Sequence, residues 1–136
     1  MQLEEWIRRL LISSTFTQAT IYVIRPFITY RAIEIGASAF EIGLIGALYA
    51  LFPILLALKF GRLVSKFGES KFIVFGNVSM IATSIFFLFV HNFYLLILAT
   101  AMAGLSHLAL MVGGQTMIAL RADASDYNKL FGYYTF

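Results

Sequence analysis

Long apolar runs alternate with short polar connections along this chain. The runs predict membrane-spanning helices over about residues 10–30, 42–60, 72–90 and 93–120, because a helix needs roughly 20 mainly apolar residues to cross a bilayer. In the second run, the long side chain of Lys59 is able to carry its charge to the membrane surface. A further apolar segment begins at about residue 130. Since short connections join antiparallel neighbours, the predicted fold is an all-α integral membrane bundle of four antiparallel helices plus the start of a fifth.

The composition agrees with this interpretation. Hydrophobic residues make up 60% of the 136 residues and charged residues 12%, whereas soluble domains carry roughly 25% charged residues. Too few polar side chains remain to cover a water-exposed surface. A cleaved signal peptide is disfavoured, because Arg25 and Pro26, rather than a small-residue cleavage site, follow the first apolar stretch.

The residue types also exclude or disfavour several kinds of chemistry. The chain has no cysteine, which excludes disulfides, thiolate zinc sites and cysteine nucleophiles. His91 and His107 have no apparent third ligand, so we expect no metal site. No pairing of a nucleophile with a base is apparent, which argues against an enzyme. The basic residues flank apolar spans, which suits membrane orientation better than nucleic-acid binding.

The distribution of positive charge predicts the orientation, because cytoplasmic ends of membrane proteins are enriched in Lys and Arg. With the N-terminus in the cytoplasm, eight of the ten basic residues fall on that side, and only Arg25 and Arg31 fall on the outer half. The eight are Arg8, Arg9, Lys59, Arg62, Lys66, Lys71, Arg121 and Lys129. We therefore expect a protein of the plasma membrane (in bacteria the inner membrane) with the N-terminus and residues 61–71 in the cytoplasm.

The first span carries many polar side chains, and five of them share one helical face. These five recur at steps of three or four residues and are Ser14, Gln18, Tyr22, Arg25 and Thr29. A serine is able to bond to the backbone of its own helix, but a glutamine or arginine is not satisfied in that way. Because ionisable groups inside spans are usually functional, we predict that Gln18, Tyr22, Arg25 and Thr29 line a substrate cavity.

Alternatives stay open for Arg25. It lies roughly 8 Å from the outer end of its span at 1.5 Å per residue, so its side chain is able to extend to the membrane surface. No carboxylate lies within the four predicted spans. A buried Arg25 therefore needs a partner from elsewhere, either a substrate anion or an acid on another helix. Pro26 removes a backbone donor beside it and is a candidate hinge.

The fourth span contains His107 and Gln115 on one helical face. A histidine at this depth either relays protons or contacts substrate, or simply bonds to a neighbouring helix. We include both residues in the predicted cavity. No cofactor is expected, and proton coupling stays an open alternative because carboxylate carriers are absent from these spans. In the second span, Gly43, Gly46 and Pro53 predict close helix packing or a hinge.

The connection "GRLVSKFGES" at residues 61–70 breaks the apolar pattern with basic residues and two glycines. It resembles the loop between helices two and three of the major facilitator superfamily, whose pattern is roughly G-x-L-A-D-R-x-G-R-R. The matching residues are Gly61, Leu63, Lys66 and Gly68. Ser65 stands where the family usually has Asp, and Glu69 stands where it usually has Arg. The segments "AGLSHLALMVGGQTMIA" and "DYNKLFGYYTF" are similar to the fourth helix and the approach to the fifth.

This resemblance implies the N-terminal part of a secondary transporter with about twelve spans in two halves, and similarity to drug-exporter-like branches favours export. In the family, the loop acts as a latch between transport states. Ser65 implies a weakened or rewired latch, with Glu69 as a candidate for the acidic role. The simpler alternative is a positively charged anchor in which Gly61 and Gly68 only allow a sharp turn.

Other functions remain as alternatives. A four-helix protein of this length resembles small oligomeric transporters or channels, although small multidrug exporters need a glutamate in the first helix, where this chain has only Arg25. A membrane scaffold is a further alternative. The expected partners are the lipid bilayer, a small-molecule substrate and the remaining helices of a longer transporter.

Overall fold

The computed structural model describes residues 5–135, which form five α-helices joined by short connections. The helices are α1 Glu5–Glu34, α2 Ala39–Phe67, α3 Glu69–Phe86, α4 Phe93–Arg121 and α5 Tyr127–Thr135. A 3₁₀ turn at Phe87–Phe89 extends α3. The described residues contain no strand, and the predicted all-α fold is confirmed.

Polar residues fix the starts of α2 and α4. Ser38 and Glu41 cap α2 reciprocally: the Ser38 amide donates to Glu41 Oε2 at 2.7 Å, and the Glu41 amide donates to Ser38 Oγ at 3.4 Å. The Asn92 side chain accepts a hydrogen bond from the Leu95 amide at 2.9 Å. Between α1 and α2, Gly36 turns the chain with a φ of 78°. Ser38 and Asn92 thus fix where α2 and α4 begin, and Gly36 allows the turn that precedes α2.

Helix α4 lies at the centre of the bundle, where it packs against the other four helices. Many of its buried residues are small, and they include Ala99, Ala103, Gly104, Ala109, Gly113 and Gly114. Small side chains let neighbouring backbones approach closely. Helix α3 runs antiparallel to α4, since Glu69 contacts Arg121 at one end and Ser79 contacts Ser106 further along.

A second set of contacts aligns α1 with α3. The Asn77 side chain donates to Ser13 Oγ at 3.2 Å. Near the other end, Arg31 donates through Nε and Nη2 to the Val90 carbonyl at 2.8 and 2.5 Å. Both contacts advance in the same chain direction, so α1 and α3 run parallel, as expected for alternate members of an up-and-down bundle.

Within residues 5–135, three helical segments are long and apolar enough to cross a membrane, namely Ala39–Phe67, Glu69–Phe89 and Phe93–Arg121. Helix α1 is 30 residues long but is not among these three segments. The sequence predicted four spans, so the structure has one fewer segment of this kind within residues 5–135. In α1, serines, threonines, Gln18 and Arg25 dilute the apolar residues. The prediction rested on the length of the apolar run in α1. Averaged along the helix, the polar side chains lower the mean hydropathy below that of the other three segments.

The connection predicted at residues 61–71 is shorter than expected. Helix α2 continues through Gly61, Ser65 and Lys66 to Phe67, and Gly68 alone separates it from α3. With 29 residues, α2 is roughly 43 Å long at 1.5 Å per residue, so it extends beyond a hydrocarbon core of about 30 Å. Charged residues are compatible with such a projecting helical end. The expected turn at Gly61 is therefore wrong, while Gly68 does turn the chain, with a φ of 91°.

The outward faces of the helices are strongly apolar. Large exposed side chains include Phe16, Val23, Ile54, Leu58, Val78, Ile81 and Leu88. Extended apolar patches of this kind are rare on soluble proteins and suit contact with lipid, where backbone groups are satisfied within the helices.

Candidate functional site

A cavity of about 400 Å³ lies between α1, α2 and α4. Arg25 and Thr29 reach it from α1, Tyr49 from α2 and Thr100 from α4. The rest of the lining consists of apolar or small residues: Ile28, Ala32, Ile42, Ile45, Gly46 and Ala50. An apolar wall with a few polar groups is the usual composition of a small-molecule site.

The polar groups of this cavity connect to the interior through Tyr49. The guanidinium carbon of Arg25 lies 4.9 Å from the centre of the Tyr49 ring, within cation–π range. The Tyr49 hydroxyl contacts His107 Nδ1 on α4 at 3.2 Å. A line of polar side chains, Arg25–Tyr49–His107, therefore crosses from α1 through α2 to α4.

A second, smaller pocket of about 40 Å³ lies between α1, α4 and α5, next to His107. Gln18 and His107 both line it, together with Ser14 on α1 and Tyr134 on α5. A cavity of this size has room for a few water molecules, since one water needs about 10–15 Å³ of such volume. His107 therefore borders the small pocket and, through Tyr49, reaches the larger cavity.

The structure separates the six residues predicted to line a cavity. Arg25 and Thr29 line the larger one, and Gln18 and His107 line the smaller. Tyr22 is 75% exposed and lines neither, and Gln115 is half-buried on α4 and also lines neither. A substrate contact at any of the six stays a prediction.

Two buried polar atoms near these cavities have no hydrogen-bond partner among the described residues: Thr100 Oγ1 and His107 Nε2. The Thr100 side chain is fully buried. Buried polar groups in folded proteins are nearly always paired, with protein or with ordered water, so these two atoms stand out among the described residues.

Sequence reasoning did not identify a polar cluster between α1 and α3. Asn77 donates to Ser13 Oγ, and its Oδ1 lies 3.4 Å from the Thr17 hydroxyl. Thr17 also donates to the Ser13 carbonyl at 2.9 Å. The signal was Asn77 itself, a single amide in a span whose other polar side chains are hydroxyls, because an amide needs a partner on another helix.

An ion pair joins the start of α3 to the end of α4. Arg121 Nη2 lies 2.5 Å from Glu69 Oε1 and 3.4 Å from Ser70 Oγ. The Ser65 hydroxyl donates to the Gly61 carbonyl of its own helix at 3.1 Å, and the Lys66 ammonium lies 5.4 Å from the centre of the Phe67 ring. Among the residues predicted to form a gating loop, Glu69 thus makes a side-chain ion pair with another helix.

Close helix packing occurs at glycines other than those predicted. A Cβ built at Gly43 or Gly46 would meet no atom within 4 Å, so close packing at that face stays a prediction. At Gly104, a Cβ would overlap the Tyr49 carbonyl and lie 3.4 Å from Pro53 Cγ. Pro53 is inside α2 and Pro26 is inside α1.

The part of the chain that the structure describes contains no group of three or more His, Cys, Asp or Glu side chains able to hold a metal. The two cavities together are lined by one cation, Arg25, several hydroxyl groups, the imidazole of His107 and apolar walls between helices. This arrangement suits binding of a small molecule.

Sequence comparison decides the family. The profile of the Major Facilitator Superfamily matches residues 10–136. The chain belongs to the major facilitator superfamily. It is therefore an integral membrane protein of a transporter class, and the family suggested by residues 61–70 is confirmed.

Named relatives agree with this family. The chain is 26% identical over 113 residues to the quinolone resistance protein NorA of Staphylococcus aureus strain Mu50 / ATCC 700699 and of strain N315. The match covers 83% of this chain and 29% of each relative. The chain thus spans less than a third of the length of these relatives.

Proposed function

We propose that this chain forms the N-terminal helices of a secondary transporter that moves a small molecule across the membrane by alternating access. The observation that carries the proposal is the superfamily match over nearly the whole chain. The cavity between α1, α2 and α4, with its unpaired Thr100 hydroxyl, supports a binding site that helices outside this chain complete. In superfamily transporters, two halves rock around such a site.

Export is the direction that the relatives favour. NorA is named as a quinolone resistance protein, and resistance is a natural consequence of removing a drug from the cell. The proposal includes no catalytic chemistry in this chain, since transport needs only binding and a change of access.

The proposed location is the plasma membrane with the N-terminus in the cytoplasm. Eight of the ten Lys and Arg residues lie at the helix ends that this orientation places inside, which is the bias expected of cytoplasmic ends. The cavity that contains Arg25 then lies in the outer half of the bundle.

We further propose that the Glu69–Arg121 pair is a contact that opens and closes during transport. The pair joins the start of α3 to the end of α4, with the Arg121 side chain 42% exposed and the Glu69 side chain 16% exposed, so water is able to compete for the arginine. Exposed pairs contribute only about 0–1 kcal/mol, and a pair open to water at one partner is weak enough to break in each cycle.

The test of the function uses the complete polypeptide that the gene encodes. Cells expressing it are preloaded with a fluorescent quinolone, and loss of fluorescence from the cells is followed with and without an energy source. We expect faster, energy-dependent loss than in cells carrying the empty vector. Loss at the same rate as in cells carrying the empty vector, or loss that does not depend on the energy source, would contradict export.

A second measurement separates a carrier from a channel. Reconstituted vesicles are loaded with labelled drug, and unlabelled drug is placed outside. A carrier that alternates between two faces returns faster when loaded, so efflux of label should accelerate. A channel would show no acceleration, and alternating access would then be wrong.

A further inference from the structure

The larger cavity is bordered by an exposed arginine, Arg25, whose positive charge no carboxylate in residues 5–135 balances. Arg25 lines it and is held over the Tyr49 ring. Within residues 5–135, the arginines in carboxylate pairs are Arg8, Arg9, Arg31 and Arg121. Arg25 makes no such pair in the same part of the chain. The guanidinium has five N–H donors, and beyond its contact with Tyr49 no carboxylate in residues 5–135 occupies them.

Thr100 provides an independent observation on the opposite wall. Its hydroxyl is fully buried, lines the cavity and has no partner among the described residues. By contrast, Thr17 and Thr83 donate to the carbonyl four residues earlier on their own helices. An unpartnered buried hydroxyl is costly. The Thr100 hydroxyl therefore has an unused donor, and because the side chain is 0% exposed, a ligand in the cavity reaches it only when neighbouring side chains shift.

The remaining walls favour an apolar body. Ile28, Ile42 and Ile45 line the cavity, and its volume of about 400 Å³ is within the range of small-molecule sites, about 300–1,000 Å³. A ligand that fits these walls carries one compact anionic group on a hydrocarbon or aromatic skeleton.

We propose that the cavity between α1, α2 and α4 binds a small organic carboxylate, with the carboxylate paired to Arg25 and within reach of the Thr100 hydroxyl. Arginine matches a carboxylate with two parallel hydrogen bonds. This inference rests on the proposed transport function, because it names the class of molecule carried. The same chemistry has a second source, an Asp or Glu side chain on a helix outside this chain.

The experiment measures binding of radiolabelled benzoate to the purified complete polypeptide in detergent. Benzamide and benzylamine, which share the ring but are neutral and cationic, are the competitors. We expect saturable benzoate binding that neither competitor displaces. Arg25→Gln should weaken benzoate binding at least tenfold, and Arg25→Lys should weaken it less, because the charge is kept.

Two further variants keep the test specific. Thr100→Val preserves shape but removes the hydroxyl, and we expect a several-fold loss of benzoate affinity with the preference over benzamide retained. Arg62→Gln removes an exposed arginine of α2 distant from the cavity and should leave binding unchanged. Equal binding of benzamide and benzoate, or benzoate binding that Arg25→Gln does not weaken, would overturn the proposal.

A side-chain carboxylate from the same polypeptide gives a different result. Benzoate would then fail to bind, and Arg25→Gln would lower the melting temperature without any ligand, which also overturns the proposal. The results distinguish failure of the proposed transport function from failure of the proposed carboxylate site. Benzoate binding without flux of any compound removes transport and leaves the anion site, whereas drug flux without benzoate binding removes the anion site alone.

Discussion

Gly104 allows α2 and α4 to approach closely because it has no side chain. Pro53 has no N–H, so the Tyr49 carbonyl four residues earlier loses its usual helical donor. That carbonyl lies against Gly104, where any Cβ would overlap it. Tyr49 also contacts His107 and Arg25, so the helix crossing and the polar line depend on the same residue.

Gly104→Ala is therefore expected to destabilise the protein by about 1–3 kcal/mol, the usual cost of forcing extra volume into a packed interface. Gly61→Ala is the matched control, because a Cβ there meets no atom within 4 Å. Alanine is favoured over glycine inside a helix by about 0.5–1 kcal/mol, so the control should raise stability slightly. Melting temperatures in detergent measure both. A Gly104→Ala protein as stable as the parent would show that α2 and α4 separate without cost.

At the scale of elements, Tyr134 joins α5 to α4. The apolar cluster beside it includes Leu130, Met117 and Ile118. Tyr134 is buried, and its hydroxyl donates to the Leu110 carbonyl at 2.8 Å. The ring occupies the space left by Gly114, where a Cβ would overlap it. The docking of α5 thus combines a hydrogen bond with a glycine notch.

Tyr134→Phe should cost about 1 kcal/mol, since it keeps the ring but removes one hydrogen bond. Gly114→Ala should cost more, because it closes the notch. The neighbouring Tyr133 is 54% exposed, so Tyr133→Phe should have little effect. Protease cleavage in the connection at residues 122–126 reports detachment of α5. Equal cleavage in the two tyrosine variants would contradict this account of the docking.

The contact between the ends of α3 and α4 is testable by charge exchange. Glu69→Arg alone places two like charges together and should lower stability by up to about 1 kcal/mol. Adding Arg121→Glu restores opposite charges and should recover most of the loss. A contact that also gates transport should change the flux rate in both single variants and return it in the double variant. If only melting temperature responds, the pair is a structural tie.

The helices followed from the sequence because long apolar runs are local signals. The capping residues Ser38 and Asn92 are local signals too, which the prediction did not use. The end of α2 did not follow from the sequence, since basic residues fit both a loop and a helix that projects from the membrane. In the site, the polar face of α1 indicated Arg25. Tyr49 and Thr100 escaped notice because each lies in an apolar run, where only the packing of α2 and α4 reveals which side chains face a cavity.

For the whole molecule, the orientation is open to labelling because the chain has no cysteine. His91 lies in the connection between α3 and α4, and Ser125 lies in the connection between α4 and α5, both exposed. His91→Cys should react with a membrane-impermeant maleimide added outside intact cells. Ser125→Cys should react only after the cells are opened. The reverse pattern would contradict the proposed orientation.

The polar character of α1 also affects how the protein enters the membrane. An arginine at the centre of a helix opposes insertion by about 2.5–3.5 kcal/mol on translocon-based scales, and Arg25, roughly 8 Å from the outer end of its span, should oppose it by less. Helix α1 also lacks the apolar composition of the later helices. The ribosome makes α1 before α2 and α4, which supply the Tyr49 ring and the apolar surfaces that shelter it. Lipid alone is thus a poor environment for α1, and its stable integration during synthesis depends on helices that emerge after it.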